Sequence, residues 1–402
     1  MYKITTGPKT MVGCNEDAWR TTSVIWFENA GKAGEYGAAF TGSRQVTSNR
    51  TAPQSGMNEA GLVFSRLAAY YPRQNNPFPN RLKITDEVDY LSDILHTCST
   101  IEEVKSYIEQ YDHSVFRDDV YIYIDRSGKY LVVEPYTLIE GDEPHYVLSN
   151  FCPSITANEQ ARKLARYRNG EDYLKAHPVN ISLAFCSALS DTMHVCRSRN
   201  GDGTLLTSIW DSQELLVNLY FYHQYDTTVQ FNLKEELSKG NHRISIPGLF
   251  PENPEFKRLA TYKTPFNTPF IRAGMVPLAG ILVLFAFIVG VWQFRHPTPG
   301  MLRLVPLING ILIVYLFVLA TNPYIFYFDA PYQHHGSVWI TASSYTPFVV
   351  LLAMFPLLCF GNRWLKSGKP KPWVRNLLIS NYLIYLLLIF SFAYWGLYSI
   401  WD

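Results

Sequence analysis

Two short polar segments hold the residues best suited to chemistry. The first is Gly13-Cys14-Asn15-Glu16-Asp17, followed by Trp19; the second is Gly56-Met57-Asn58-Glu59-Ala60-Gly61-Leu62. Thiols attack carbonyls, carboxylates hold and orient protons, and carboxamides donate to developing oxyanions. Taken singly, clusters of Asn, Asp, Glu and Gly are turns by default, so neither segment defines a reaction alone. The remaining chemistry-bearing residues are scattered. Cys98 and Cys152 show neither pairing nor metal spacing, and the ten histidines form no ligand set; His334-His335 reads as a polar interfacial pair. Cys186 and Cys196, ten apart, are candidates for a disulfide. No phosphate loop or dinucleotide fingerprint occurs, so neither a cofactor nor a metal is expected.

The elements that must position these segments read as α+β over residues 1–245. Strands are expected at 22–27, 61–68, 120–124, 130–133, 146–148, 215–222 and 228–232, where Val, Ile, Tyr and Phe alternate with turn residues. Asp125-Arg126-Ser127-Gly128-Lys129 joins two of them as a hairpin. Helices are expected at 85–98, 101–110, 157–173 and 180–189. Thr100 followed by Glu103 fits a capped helix start. Residues 246–272 read as a linker, with five prolines between 246 and 269.

Residues 273–402 differ in kind. They carry seven Lys/Arg and two Asp/Glu, a net of +5, which leaves 28 basic and 32 acidic residues, a net of −4, for the rest. Apolar runs at 273–294, 304–321, 343–360 and 376–400 approach the roughly 20 residues that cross a bilayer as a helix. The third is the shortest and would also suit a re-entrant segment. An all-α bundle of about four transmembrane helices is therefore expected, with the lipid bilayer as a partner. The loops at 295–303 and 361–375 carry the Lys/Arg and the aromatic loop at 322–342 carries none, which puts the first two in the cytoplasm and the N-terminal half outside. The whole-chain net charge of +1 argues against a nucleic-acid partner. Six cysteines in 402 residues form no disulfide scaffold, and 15% aromatics exclude a disordered chain.

In this order, the motifs resemble those of the linear-amide C–N hydrolases, N-terminal-nucleophile enzymes that include choloylglycine hydrolases, penicillin V acylases and the isopenicillin acyltransferase type. Residues 13–17 resemble the family's G-x-N-x-D element and residues 56–62 its G-x-N-E-x-G-L element. Residues 125–134 resemble its D-x-x-G hairpin, and Val147-Leu148-Ser149-Asn150 its V-[LM]-[ST]-N stretch. Residues 204–211 and 219–225 resemble its late hairpin. The resemblance spans about residues 1–240 and excludes the membrane half. It implies a four-layer αββα sandwich and an N-terminal Cys that attacks the amide, with its own α-amino group as base. It further implies that Asp17 orients that residue, that Asn150 donates to the oxyanion, that Arg166 is the charged partner, and that Asn58 and Trp19 lie on the substrate side.

Two departures qualify it. Bile-salt enzymes carry Arg where Cys14 stands and Asn where Ala68 stands, so bile-salt specificity is not expected. The catalytic Cys aligns one or two residues before Met1, and Met1-Tyr2-Lys3-Ile4 shows no export signal. The expectation is a precursor whose signal peptide ends just before a Cys-Thr pair, which would both export the domain and free the amine. Cys14 is the rival nucleophile, since Gly13-Cys14 is a feasible self-cleavage bond. The expected function is a membrane-anchored, outward-facing amidase acting on a small N-acyl amide. The alternatives are an inactive relative that binds or senses a ligand, and an acyltransferase using the same acyl-enzyme.

Overall fold

A computed structural model describes residues 1–17, 23–44, 50–75, 78–196, 203–261, 269–296, 300–326, 330–334, 337–366 and 371–398. The chain forms two compact units, 1–262 and 263–402.

The first unit opens with strands β1 (Tyr2–Thr6), β2 (Lys9–Asp17), β3 (Val24–Glu28), β4 (Ala38–Arg44), β5 (Thr51–Asn58), β6 (Val63–Ala68) and the short β7 (Leu82–Lys83). Helices α1 (Glu87–Thr97) and α2 (Ile101–Ile108) follow. Next come β8 (Tyr111–Asp112), β9 (Asp119–Ile124), β10 (Tyr130–Val133), β11 (Leu138–Gly141) and β12 (His145–Val147). Helices α3 (Asn158–Ala161), α4 (Ala165–Ala176) and α5 (Leu183–Met193) lead to β13 (Thr204–Asp211), β14 (Leu216–Phe221) and β15 (Gln224–Asn232). Helix α6 (Leu233–Leu237), β16 (His242–Ser245) and α7 (Pro254–Thr261) complete the unit.

These strands build a six-stranded sheet, β12-β1-β2-β13-β14-β15, and an eight-stranded sheet, β11-β10-β9-β6-β5-β4-β3-β16, every pair antiparallel. Alternation along each strand sorts side chains into layers. Val12 and Cys14 of β2, with Leu206 and Val217, meet Phe27, Ala39, Met57, Val63 and Ile122 between the sheets. The opposite face of the eight-stranded sheet, Phe40, Phe64, Tyr121 and Tyr123, packs under Leu91, Ile94 and Val104 of α1 and α2. The opposite face of the six-stranded sheet, Tyr2, Ile4, Met11 and Ile209, packs under Leu174, Phe185 and Leu189 of α4 and α5. The order is helix, sheet, sheet, helix, the αββα sandwich.

Local chemistry explains the helix starts. Asp86 accepts from the Val88 and Asp89 amides, and Thr100 and Glu103 form a reciprocal capping box. The stretch expected as one helix over 157–173 is two, α3 and α4, with a break at 162–164. Part of the segment expected as a linker is folded: Phe250 stacks on Phe221, and Phe256 of α7 packs against Phe221 and Tyr222. Cys186 is a buried free thiol, so it is not paired with Cys196 as their spacing allowed.

The second unit contains α8 (Pro269–Arg295), α9 (Leu304–Thr321), α10 (Val338–Ser343), α11 (Thr346–Lys366) and α12 (Pro372–Tyr394). Four stretches, Ala273–Arg295, Leu304–Thr321, Val338–Trp364 and Pro372–Tyr394, are long and apolar enough to cross a membrane. Inside this unit Asn309 Nδ2 donates to Asn381 Oδ1 (2.9 Å) and Tyr385 Oη to Asn309 Oδ1 (2.6 Å), a wholly buried polar contact between α9 and α12.

Candidate functional site

Asp17 ends β2 and is exposed. Its Oδ1 accepts from Thr204 Oγ1 (2.9 Å), because β13 pairs with β2 and sets Thr204 opposite Asp17. Its Oδ2 accepts from Arg166 Nη2 in an ion pair. Arg166 lies in the first turn of α4, so the helix carries the guanidinium to the strand end. Arg166 Nη1 also reaches Asn150 Oδ1 (3.3 Å), and Asn150 Nδ2 donates to the Ala68 carbonyl (3.0 Å). Asn150 lies three residues beyond the end of β12, the strand that pairs with β1. One N–H of its carboxamide is committed to Ala68; an amide NH2 has two.

Strand β1 runs into this cluster. Met1 donates its amino group to the Leu148 carbonyl (2.9 Å) and accepts from the Leu148 amide (3.1 Å), extending the ladder between β1 and β12. Cys14, Arg166 and Asp17 are the ionisable side chains close enough to act on the Met1 nitrogen. The strand head therefore lies among the expected site residues. Tyr2 pairs with Gly13, and Gly13 has no room for a β-carbon: one built there falls 2.2 Å from the Tyr2 ring. That ring fills the space and its hydroxyl donates to the Cys186 carbonyl on α5.

Of the residues expected at the site, Asp17, Asn150 and Arg166 come together. Asn58 does not join them. It is fully buried, and its carboxamide donates to the Leu95 and Cys98 carbonyls (both 2.7 Å) and accepts from the Ala60 and Leu62 amides. The first two tie the turn after β5 to the end of α1 and the last two close that turn on itself, so the Asn58 carboxamide is committed to the fold. Cys14 is buried in mid-strand, and burial pushes its thiol up to about 11. A protonated, sealed thiol is a poor nucleophile. Trp19 lies outside the described residues.

Two neighbours were not expected. Thr204 braces Asp17 from a strand 187 residues away in sequence. Glu16, inside the first motif, points between the sheets and accepts from Thr41 and Ser55. Burial, partly offset by these hydroxyls, pushes its carboxyl up to about 7.

No protein-family profile matches the chain, and no curated protein matches it. Among solved structures, a mutant of conjugated bile acid hydrolase from Clostridium perfringens is similar at 14% identity and a TM-score of 0.46, covering 63% of this chain and 97% of that one. Penicillin V acylase from Agrobacterium tumefaciens is similar at 16% identity and a TM-score of 0.45, covering 61% and 90%. The Caenorhabditis elegans ortholog of N-acylethanolamine-hydrolyzing acid amidase is similar at 11% identity and a TM-score of 0.36, covering 52% and 91%.

Proposed function

We propose that this chain is a membrane-anchored hydrolase of linear carbon–nitrogen amide bonds that works through an N-terminal cysteine acyl-enzyme. The observation that carries this reading is the convergence of Asp17, Arg166 and Asn150 around the head of β1. The motifs on which these residues lie add a second, independent support.

The strand register supports a position for the nucleophile. Tyr2 pairs with Gly13 and with Val147, so Met1 stands opposite Cys14 and Leu148. Continued by two residues, the same register sets the residue two places before Met1 opposite Glu16 and Asn150. It shares the inter-sheet face with Met1. A cysteine there would stand across the ladder from Asn150, whose carboxamide would donate to the oxyanion.

The chemistry follows from these groups. The thiol sulfur attacks the amide carbon, and its proton passes to the α-amino group of the same residue. The second N–H of Asn150 donates to the oxygen as it gains charge. Asp17, fixed by Arg166 and Thr204, holds the ammonium so formed. When the tetrahedral intermediate collapses, the C–N bond breaks and the amine leaves with that proton. Water then cleaves the thioester, releasing the acid and restoring the thiol. The Lys/Arg-bearing loops of the membrane half favour an extracytoplasmic site.

The test is incubation of the native membrane protein with a panel of N-acyl amides, following amine release and the mass of the acyl-enzyme. Amine release with an acyl adduct on the amino-terminal peptide supports the reading. Ligand binding with no release and no adduct favours a binding protein instead.

A further inference from the structure

A cleft of about 280 Å³ lies where the end of α2, the turn after β8 and the turn from β10 to β11 meet. None of Asp17, Asn150, Arg166 or Thr204 lines it. Two of its charged residues are brought there by backbone pairing. The Leu82 amide at the start of β7 donates to the Gln110 carbonyl after α2 (2.8 Å), so Arg81 and Glu109 flank one hydrogen bond. The Arg81 amide donates to the Phe78 carbonyl (3.2 Å), and this turn lays the guanidinium over the Phe78 ring, its carbon 3.9 Å from the ring centre. Such stacking fixes the plane of the guanidinium and leaves its N–H edge available.

Of the other titratable groups lining the cleft, each is already satisfied or neutral. Lys105 pairs with Glu140 (2.6 Å). Glu134 is buried and accepts from the Ser154 amide (2.9 Å) and hydroxyl. His113 is uncharged, because burial pulls its ring down to about 3, and its Nε2 lies 2.9 Å from Tyr90 Oη. Arg81 and Glu109 differ. Among the described residues neither side chain makes a hydrogen bond or ion pair, with the other or with anything else, although both line the same cleft. Ile108, Pro135 and Leu138 supply apolar wall. An anion alone would meet the charge of Glu109 unmatched, and a cation alone would meet that of Arg81. A molecule bearing both charges gains a charge-assisted hydrogen bond at each, and the C-terminal end of α2 further favours a cation beside Glu109. The volume is at the lower edge of the roughly 300–1,000 Å³ of small-molecule sites, so the ligand must be compact.

We propose that this cleft is a second ligand site, taking a compact aliphatic zwitterion of the amino-acid class with its carboxylate on Arg81 and its ammonium on Glu109. The site stands apart from the amide-hydrolase reading and does not depend on it.

Isothermal calorimetry on the full chain in detergent tests it. The probes are leucine and 5-aminopentanoate, which hold the two charges close together and far apart. Each is compared with its single-charge analogues: 4-methylpentanoate and 3-methylbutylamine for leucine, hexanoate and pentylamine for 5-aminopentanoate. At least one zwitterion should bind roughly 10-fold or more tightly than both of its analogues, the range of one charge-assisted hydrogen bond. Arg81→Gln should erase the preference over the amine and keep the preference over the acid. Glu109→Gln should do the reverse. A general loss of fold cannot produce this crossed pattern, and unchanged melting temperatures check the fold directly. Binding of neither zwitterion, or binding no tighter than that of the analogues, would overturn the proposal. Preferences that both variants leave intact would overturn it too, placing the binding elsewhere, and a variant that loses both preferences together would overturn the assignment of the two charges.

Discussion

Asp17 is held from two directions, by the Arg166 guanidinium and the Thr204 hydroxyl, and such fixing suits a group that must hold an ammonium in one place. Asp17→Asn keeps the size and removes the charge, so kcat should fall by roughly 100-fold or more while the fold persists; steady-state kinetics with circular dichroism checks both halves. Arg166→Lys should lose most of the activity as well, since an ammonium cannot bridge Asp17 and Asn150 as the planar fork does. Glu16 makes a prediction of the opposite sign for stability. Its carboxyl is raised to about 7 in the folded chain against an ordinary 4.5. The native state thus binds more protons than the unfolded state between those values, and stability falls as pH rises through that window. Glu16→Gln should therefore be more stable than the parent at pH 8, by about 1–2 kcal/mol after allowing for the partial exposure of the group. The gap should close below about pH 4.5; unfolding curves at pH 8 and pH 4 measure it. Cys14, with its thiol pushed up to about 11, should resist alkylation in the folded protein and react once it is unfolded.

Hairpin β1–β2 is the element that sets the site, and Gly13 is its tightest point. Gly13→Ala would drive a methyl group into the buried Tyr2 ring, costing about 1–3 kcal/mol and displacing the strand head from Asp17, so thermal stability and activity should fall together. How far such elements can be read from sequence depends on how local their causes are. The start of α2 was legible because Thr100 and Glu103 carry their own signal. The β9–β10 hairpin was legible because alternating Tyr, Ile and Val flank Ser127-Gly128. Strands β4 and β5 were not, because Ala38, Ala39, Ser43, Ala52, Pro53 and Gly56 lack strand-forming side chains and are held by their neighbours. The break between α3 and α4 has no marker in composition. At the site, Asp17, Asn150 and Arg166 were expected through the motif resemblance. Thr204 was not, since its place depends on pairing between distant strands, and Asn58 misled because a motif asparagine serves a turn as readily as a ligand.

Across the whole molecule, a water-facing sandwich is joined to a unit whose four long apolar helices fit a bilayer. Helix α7, the last described element of the sandwich, packs Phe256 against the β14–β15 hairpin. The loop charges predict which side the sandwich faces. In a background with Cys196 and Cys359 replaced by serine, a membrane-impermeant thiol reagent applied from outside should label Tyr332→Cys and leave Lys366→Cys untouched. The reverse pattern would place the sandwich in the cytoplasm. Within the membrane unit, Asn381→Leu removes one side of the buried pair with Asn309 and should weaken the packing of α9 on α12 by about 0.5–2 kcal/mol, measurable as a lower melting temperature in detergent.

The most direct test of the central claim is the mass of the amino-terminal peptide of the native membrane protein, before and after a thiol-directed acylating amide. The acyl-enzyme proposal predicts a free cysteine one or two residues ahead of Met1, gaining one acyl group. A native terminus with no cysteine at that place, or one that gains no acyl group, would contradict the acyl-enzyme and leave the Asp17, Arg166 and Asn150 cluster as a binding site alone.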